Sequence, residues 1–435
     1  MAGVRIGGGE ADITPPLGTP FGGFALERAT PATAVHDSLL TTATVVAGAD
    51  GAFALISCDL QTVSPELVTR ARAGISARWP IPPEHILIAA THVHSAPGGD
   101  ASERQIPGID PTFTTPEAER RIEAGIIAAV GEAYDRLCPA LLQGSSGYIP
   151  GIGLRRQAPQ EAFNSRATIL IAVDPAHGRP LAALANYGCH PSVLGPDNTA
   201  ISADYPGVLR RELGRCLGGI PVNFINAPAG DVSTRATRRA MTFAEVDRLG
   251  RHLAGQFRKL LDSLTSLPAT PIIGRLAVAR LPIDLTLLPH LKHRLASVSD
   301  PGDPLGRRLR FQIERLSRLT ATTVPCEVQV LRCGDIAFVG IAGELFSAPA
   351  AALAATGPAP HMLLIAPANG TVGNIPPPAL HASVRPIVAA EAATIIGNTV
   401  TYLCDAAFAA APHKRAAARG LSMDTAPGTA CDRTI

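Results

Sequence analysis

The chain of 435 residues is long enough for one large domain or for two to three ordinary ones, and 46% of its residues are hydrophobic, which is sufficient for a substantial core. Its 38 basic and 36 acidic residues give a formal net charge of +2, and nearly all of the basic side chains are arginine. This balance excludes the broad positive surface of a nucleic-acid-binding protein, so we predict no nucleic-acid partner.

The first residues lack both the basic start and the unbroken apolar run of a signal peptide, and no later run reaches membrane-spanning length. We therefore expect a cytoplasmic protein with no stable membrane insertion. The eight cysteines are scattered and include no Cys-x-x-Cys pair, which predicts neither a disulfide framework nor a zinc ribbon.

The predicted elements alternate between strands and helices along the chain. Strands at 4–6, 39–46 and 52–58 come first, and the turn-forming sequence AGADG between the second and third predicts a hairpin. A helix at 65–78 then leads to the apolar strand ILIAA. Beyond it, the same patterns predict helices at 117–137, 205–217, 243–263 and 389–411, and strands at 140–148, 167–173, 181–188, 220–227, 323–332 and 336–341. The alternation is typical of an α/β fold with mixed sheets and flanking helices.

No linker clearly divides the chain, so we predict one domain over residues 1–411. Residues 285–322 are locally basic and contain the breaker Pro-Gly-Asp-Pro, which indicates a helical excursion from the sheet. This excursion is either a lid or surface packing. Residues 412–435 are rich in Ala and Gly without apolar periodicity, and we predict a mobile tail.

Two histidines stand two residues apart directly after a predicted strand, in the sequence ILIAATHVHSAPGG. Residues i and i+2 of a strand point to the same face, so His92 and His94 face one cavity if the strand continues that far. Imidazole is the commonest metal ligand in proteins, and the pattern therefore favours a metal site. The alternative is that both rings cap the strand end and hydrogen-bond backbone groups of the Gly-rich loop.

Three further segments place reactive residues after apolar strands. The sequence PLAALANYGCHPSVLG leads into His190, and IAFVGIAGELFSAPAAAL leads into Glu344, whose carboxylate is either a helix cap or a third metal ligand. The small-residue loop APAGDVS lets backbone N–H groups approach a ligand, so Gly230 and Asp231 are predicted to bind substrate and Ser233 to present a hydroxyl to it. The alternative for this loop is an ordinary turn.

Eight segments in this order resemble the catalytic domain of the neutral/alkaline non-lysosomal ceramidases. They are GGGEADITPPLGTPFGGF, HDSLLTTATVV, THVHSAPGG, GLRRQAP, NYGCHPSVLG, SADYPG, APAGDVS and GIAGELFS. The resemblance covers nearly the whole chain, from about residue 3 to about residue 411. The resemblance implies a zinc-dependent amidase with one Zn²⁺ per chain, which cleaves the N-acyl bond of a sphingoid base. It implies zinc ligands at His92, His190 and Glu344, and catalytic or positioning roles for His94, Ser233 and Arg155.

The sequence departs from the family where an Asn-x-Tyr-x-x-Tyr motif supplies a tyrosine ligand. This chain has ANGTVGN there, with Thr371 and Asn374 at the two tyrosine positions. Three protein ligands still satisfy a catalytic zinc, so we expect an extra water, Asn374 or His381 in the vacated position, with Asn374 near the substrate.

We therefore predict a zinc-dependent hydrolase that cleaves an amide bond of a small or N-acylated substrate. Ceramide is not the expected substrate, because its acyl chain needs an apolar channel or membrane access, which a cytoplasmic protein with 4% aromatic residues does not suggest. Two alternatives stay open, an esterase or lactonase at the same site and a non-catalytic member that keeps the fold and the metal. The sequence does not indicate an oligomeric state.

Overall fold

A computed structural model describes residues 3–24, 30–98, 114–161, 163, 165–300, 303–317, 321–384 and 386–409. Its strands are β1 (Val4–Asp12), β2 (Ala34–Val35), β3 (Leu40–Gly48), β4 (Gly51–Cys58), β5 (Ile86–Ala90), β6 (Cys138–Ile149), β7 (Leu154–Arg155), β8 (Ser165–Val173), β9 (Pro180–Tyr187), β10 (Ala200–Ile201), β11 (Val222–Asn226), β12 (Val232–Ser233), β13 (Thr265–Leu267), β14 (Ile272–Pro282), β15 (Thr323–Cys333), β16 (Ile336–Ile341), β17 (Glu344–Leu345), β18 (His361–Ile365) and β19 (Asn374–Ile375). Its helices are α1 (Pro65–Ser76), α2 (Pro116–Asp135), α3 (Asp204–Cys216), α4 (Phe243–Leu260), α5 (Leu287–Ala296), α6 (Pro304–Ser317), α7 (Ser347–Thr356), α8 (Pro378–Val384) and α9 (Ala392–Phe408). None of the described helices combines the length and the apolar character needed to cross a bilayer.

Two sheets dominate the described part of the chain. The larger one has the strand order β11-β9-β8-β6-β1-β3-β4-β5, with β13 added beside β6. The smaller one has the order β14-β15-β16-β18. Both sheets are mixed, because β11 with β9, β4 with β5, and β16 with β18 run parallel whereas their other pairs are antiparallel. The mixed α/β class expected from the sequence is confirmed.

The two sheets stack face to face between outer layers of helices. Side chains from both sheets share one core, in which the Phe53 and Phe338 rings lie 5.8 Å apart. Helices α1 and α2 cover one half of the outer face of the larger sheet, and α3 and α4 cover the other half. Helices α7 and α9 cover the outer face of the smaller sheet. The result is a four-layer α/β/β/α arrangement.

This layering explains why the central strands are almost continuously apolar in sequence. Alternate residues of β5 face opposite ways, with Leu87 and Ala89 toward the second sheet and Ile88 toward the helices, and all of them are buried. Burying both faces of the strand removes the polar alternation that would mark a half-exposed strand.

The N-terminal strand is longer than the sequence predicted, because its glycines serve a packing purpose. A Cβ atom at Gly7 or Gly9 would overlap backbone atoms of α2 at Ala133 and Ala129. Glycine therefore lets the helix lie directly on β1, which continues to Asp12 instead of ending at residue 6.

Side-chain caps fix the starts of three helices. The hydroxyls of Ser64, Thr115 and Thr242 accept hydrogen bonds from backbone N–H groups in the first turns of α1, α2 and α4. Each cap satisfies one of the N–H groups that the helix itself cannot pair. The helices predicted at 65–78, 117–137 and 243–263 therefore begin within one residue of the expected position.

Segment 285–322 contains α5 and α6, which share a small apolar core of Leu287, Leu291, Leu309 and Leu316. A lid function for this segment stays a prediction. The tail predicted at 412–435 lies outside the described residues.

Candidate active site

His92 and His190 meet at one edge of the larger sheet, although they follow different strands. His92 lies two residues beyond β5, and His190 lies three residues beyond β9. Their Nε2 atoms are 3.2 Å apart, and both rings are buried.

Glu344 reaches the same point from the second sheet. Its chain leaves β16, turns at Gly343 and enters β17, and Oε2 lies 3.5 Å from the Nε2 atom of His92 and 3.4 Å from that of His190. Only 14% of the Glu344 side chain is exposed, so the three groups form an enclosed cluster. The structure thus brings together the three residues that the sequence marked as metal ligands.

Both rings are held so that Nε2 faces the cluster. The Nδ1 atom of His92 lies 2.7 Å from the carbonyl oxygen of Gln61, and that of His190 lies 3.0 Å from the carbonyl oxygen of Val232. A carbonyl oxygen only accepts, so each Nδ1 carries a proton, and each Nε2 keeps its lone pair when the ring is neutral. This second hydrogen bond is typical of metal-ligating histidine. The residues therefore fit a divalent metal ion.

The backbone at His92 departs from the expected strand. Strand β5 ends at Ala90, and His92 has φ = 68°, a conformation that costs energy for a residue other than glycine. The condition that the strand continues through the two histidines is therefore not met. A turn, not strand alternation, brings His94 beside the cluster.

His94 completes a group of three imidazoles. Its ring centroid lies 5.4 Å from that of His92 and 5.7 Å from that of His190, and ring nitrogens of all three residues lie within 4.8 Å of one another. The ring of Phe24 contacts His94 edge-on at 4.7 Å. His94 can therefore hold a metal ion or act on a substrate bound next to one.

The surroundings of the three histidines and of the glutamate shift their pKa values in different directions. Burial lowers the pKa of His92, but the Glu344 carboxylate opposes it and the pKa is raised above 6.5. Burial together with the Arg156 guanidinium lowers the pKa of His190 to about 4. Burial also holds the pKa of His94 well below its usual value, so this ring is neutral at pH 7. Glu344 is ionised, because the two histidines outweigh the effect of burial and hold its pKa low.

The backbone of Ser233 lies beside the backbone of His190. The two residues form a parallel β-bridge, and the backbone N–H of His190 donates to the carbonyl oxygen of Val232. Ser233 is only 2% exposed, and its Oγ atom has no hydrogen-bond partner among the described residues. A buried hydroxyl without a partner is costly in a folded protein, which indicates a functional group at this position.

Gly230 and Asp231, predicted to bind substrate, are tied to the chain around Glu344. The Gly230 N–H donates to the carbonyl oxygen of Leu345, and a side chain at Gly230 would overlap Phe346. Both carboxylate oxygens of Asp231 accept hydrogen bonds, from the backbone N–H and the hydroxyl of Ser347, each at 2.7 Å. These contacts fix the loop that carries Ser233 against the segment that carries Glu344.

The neighbouring arginines Arg155 and Arg156 take opposite directions. Arg155 pairs with Glu161 at 2.5 Å and lies over the ring of Phe163. Arg156 instead approaches His190, with its guanidinium 3.5 Å from Nε2, and donates to the carbonyl oxygen of Gly230. Sequence reasoning missed Arg156, which directly follows the two-residue strand β7.

The segment with the missing tyrosines runs alongside Glu344. Asn374 pairs with Glu344 between β19 and β17 and is half-buried. The Thr371 hydroxyl accepts a hydrogen bond from the backbone N–H of Gly373. His381 lies on α8 with Nε2 at 2.9 Å from the carbonyl oxygen of Val388. Of the two donors suggested for the vacated position, Asn374 is therefore the one adjoining the cluster.

Comparisons with known proteins bear on the family and the fold of this chain. Residues 4–214 match the family model described as neutral/alkaline non-lysosomal ceramidase, N-terminal. Two solved structures share the fold: the neutral ceramidase from Pseudomonas aeruginosa, with a TM-score of 0.74, and a ceramidase complexed with C2, with a TM-score of 0.76. Each is 17% identical to this chain, and each alignment covers 94% of this chain and 75% of the other. Among curated proteins nothing matches. Residues 4–214 of this chain are thus similar to the N-terminal domain of the neutral/alkaline non-lysosomal ceramidases, and the fold is shared over nearly all of the chain.

Proposed function

We propose that the protein is a metal-dependent hydrolase that cleaves the amide bond of a small or N-acylated substrate. The observation that carries this proposal is the cluster of His92, His190 and Glu344, whose nitrogen and oxygen atoms converge within 3.5 Å. Two imidazoles and one carboxylate are a ligand set of catalytic zinc sites, and we propose Zn²⁺, one per chain. A zinc ion held there supplies Lewis acidity toward a carbonyl and lowers the pKa of water.

The chain's own residues divide the remaining work. Hydrolysis adds the elements of water across the C–N bond, so one proton must leave the nucleophile and one must reach the departing nitrogen. We assign this transfer to His94, which is neutral at pH 7 and lies next to the cluster. Ser233 is either the nucleophile or the group that positions the carbonyl.

Arg156 is the third assigned residue. Its guanidinium lies near His190 and stays charged, which suits it to stabilise negative charge on the carbonyl oxygen. We assign to Arg156 the substrate-positioning role that the resemblance implied for Arg155, because Arg155 is engaged with Glu161.

The proposal is tested by a hydrolysis screen on zinc-loaded protein. N-acyl amides of graded chain length are offered, with matched esters as controls, and amine release is measured before and after chelation. We expect amide cleavage that chelation abolishes and added zinc restores. Cleavage of esters alone would make the protein an esterase, and retention of zinc without any turnover would favour a binding role.

A further inference from the structure

The loop that follows Ser233 is unusually basic. Its sequence STRATRRA contains Arg235, Arg238 and Arg239 within five residues. Arg238 donates to the carbonyl oxygens of Ser192 and Val193, and thereby braces the loop after His190. Arg239 adjoins Glu245, which accepts a hydrogen bond from its backbone N–H. Arg235 is exposed and, within the described part of the chain, has neither a hydrogen bond nor an ion pair.

Arg235 lies close to the catalytic groups. It sits in the 3₁₀ turn Thr234–Ala236, directly after the residue that forms a bridge with His190. Arg156 runs along the same loop, with its backbone N–H on the carbonyl oxygen of Asp231 at 2.7 Å. Arg156 and Arg235 therefore both adjoin the loop that carries Ser233, next to His190.

The nearby carboxylates are already engaged with other groups. Glu344 faces the two histidines, and Asp231 accepts both hydrogen bonds of Ser347. Asp204 accepts hydrogen bonds from backbone N–H groups, among them those of Val193 and Tyr205. Arg235 thus brings a positive charge to the site without an acidic partner among the described residues, and a bound cation would add to that charge. Like charges held together are stabilised by an anion between or beside them.

Resting on the proposed function, we infer that the amide substrate carries a carboxylate close to the bond that is cleaved, and that Arg235 binds this carboxylate. The planar guanidinium can donate two parallel hydrogen bonds to it. Two substrate classes offer this chemistry. In an N-acyl amino acid the carboxylate belongs to the amine part, and in a carboxyacyl amide it belongs to the acyl part. A neutral lipid amide has no group for Arg235 to bind.

The test compares matched substrates on zinc-loaded protein. N-hexanoylglycine is paired with its neutral amide N-hexanoylglycinamide, and N-butylsuccinamic acid is paired with neutral N-butylpentanamide. We expect wild type to prefer one of the acids over its neutral partner, and whichever acid it prefers identifies the substrate class. Arg235→Gln should lower kcat/KM for that acid by about 10- to 100-fold, the usual value of a charged hydrogen bond, and leave the neutral partner unchanged. Arg239→Gln is the matched control and should leave both unchanged.

A binding measurement gives a second readout that does not need turnover. Titration of metal-free protein with N-hexanoylglycine or N-butylsuccinamic acid should show weaker affinity in Arg235→Gln than in wild type. Equal kcat/KM and equal affinity in the two proteins would overturn the inference while amide hydrolysis stands. Absence of turnover on every amide would contradict the proposed function, and the titration would then decide the assignment of Arg235 alone.

Discussion

His92 and His190 are separated by 98 positions in the sequence, yet their Nε2 atoms lie 3.2 Å apart. Each ring is oriented by a hydrogen bond from Nδ1 to a backbone carbonyl oxygen, and Glu344 lies within 3.5 Å of both. Two unpaired nitrogen acceptors so close to a carboxylate are a costly arrangement unless a proton or a cation joins them.

Loss of one ring should therefore remove the metal. His190→Ala leaves two of the three proposed ligands, and zinc content should fall from about one per chain to near zero. Elemental analysis of protein purified without chelator measures this. His381→Ala is the control, because its ring is bonded to Val388 outside the cluster and its loss should leave zinc in place. Full zinc occupancy in His190→Ala would contradict the assignment of His190 as a zinc ligand.

Ser233→Ala separates catalysis from metal binding. Its hydroxyl is buried and has no partner among the described residues, so the folded state loses little when it is removed. We expect kcat to fall at least about 100-fold with zinc content unchanged. Ser192→Ala, at another buried serine near His190, should keep most activity. Unchanged turnover in Ser233→Ala would reduce this serine to a loop residue.

The two adjacent arginines provide a matched pair. Arg156→Gln removes a guanidinium that lies 3.5 Å from His190, and kcat/KM should fall by about 10²- to 10³-fold, the usual cost of losing a donor to the developing oxyanion. Arg155→Gln removes the partner of Glu161 and the cation over the Phe163 ring, away from the cluster, and should cost less than about tenfold. Steady-state kinetics with Tm measured on both variants distinguishes catalysis from unfolding. A larger loss of kcat/KM in Arg155→Gln than in Arg156→Gln would return the substrate-positioning role to Arg155.

The stabilisation of the folded protein by a bound metal ion should weaken as pH falls. The His92 pKa is raised above 6.5 in the metal-free protein because its protonated ring pairs with Glu344, so this pair stabilises the metal-free fold below that pH and is lost as pH rises. A metal must displace that proton, so its affinity falls as pH drops. His190, with a pKa of about 4, stays neutral in both forms. The Tm difference between loaded and metal-free protein should narrow from about pH 8 to about pH 6. A constant or widening difference would contradict this.

A buried ion pair close to His92 should contribute strongly to the free energy of unfolding. Arg210 makes two hydrogen bonds to the fully buried Asp59, which also accepts from the hydroxyl of Thr91 next to His92. Arg210→Met leaves that carboxylate unpaired and should lower the free energy of unfolding by about 3 to 5 kcal/mol. Denaturant titration measures this. Arg211→Met, at a neighbour 41% exposed, should change it by less than about 1 kcal/mol. A small loss at Arg210 would show that solvent reaches Asp59.

The sequence could predict the ligand candidates because His92, His190 and Glu344 each follow an apolar strand, and strand ends gather at a sheet edge. It could not choose between Arg155 and Arg156, since β7 is two residues long and provides no alternation to count. Nor could it reveal the turn at His92 or the stacking of two sheets. Both depend on contacts between segments far apart in the chain, such as Gln61 with His92 and Phe53 with Phe338.

The attachment of Glu344 to the smaller sheet affects how the two sheets are held together. Both histidines extend from the larger sheet, whereas the glutamate extends from the smaller one, so a shared cation would act as a clamp across the two inner layers. Binding energy at the clamp is then also energy that holds the sheets together. Removal of the metal by a chelator would weaken the contact between the two sheets. Backbone amide hydrogen exchange should then rise first in β17 and β19, the short strands at this contact.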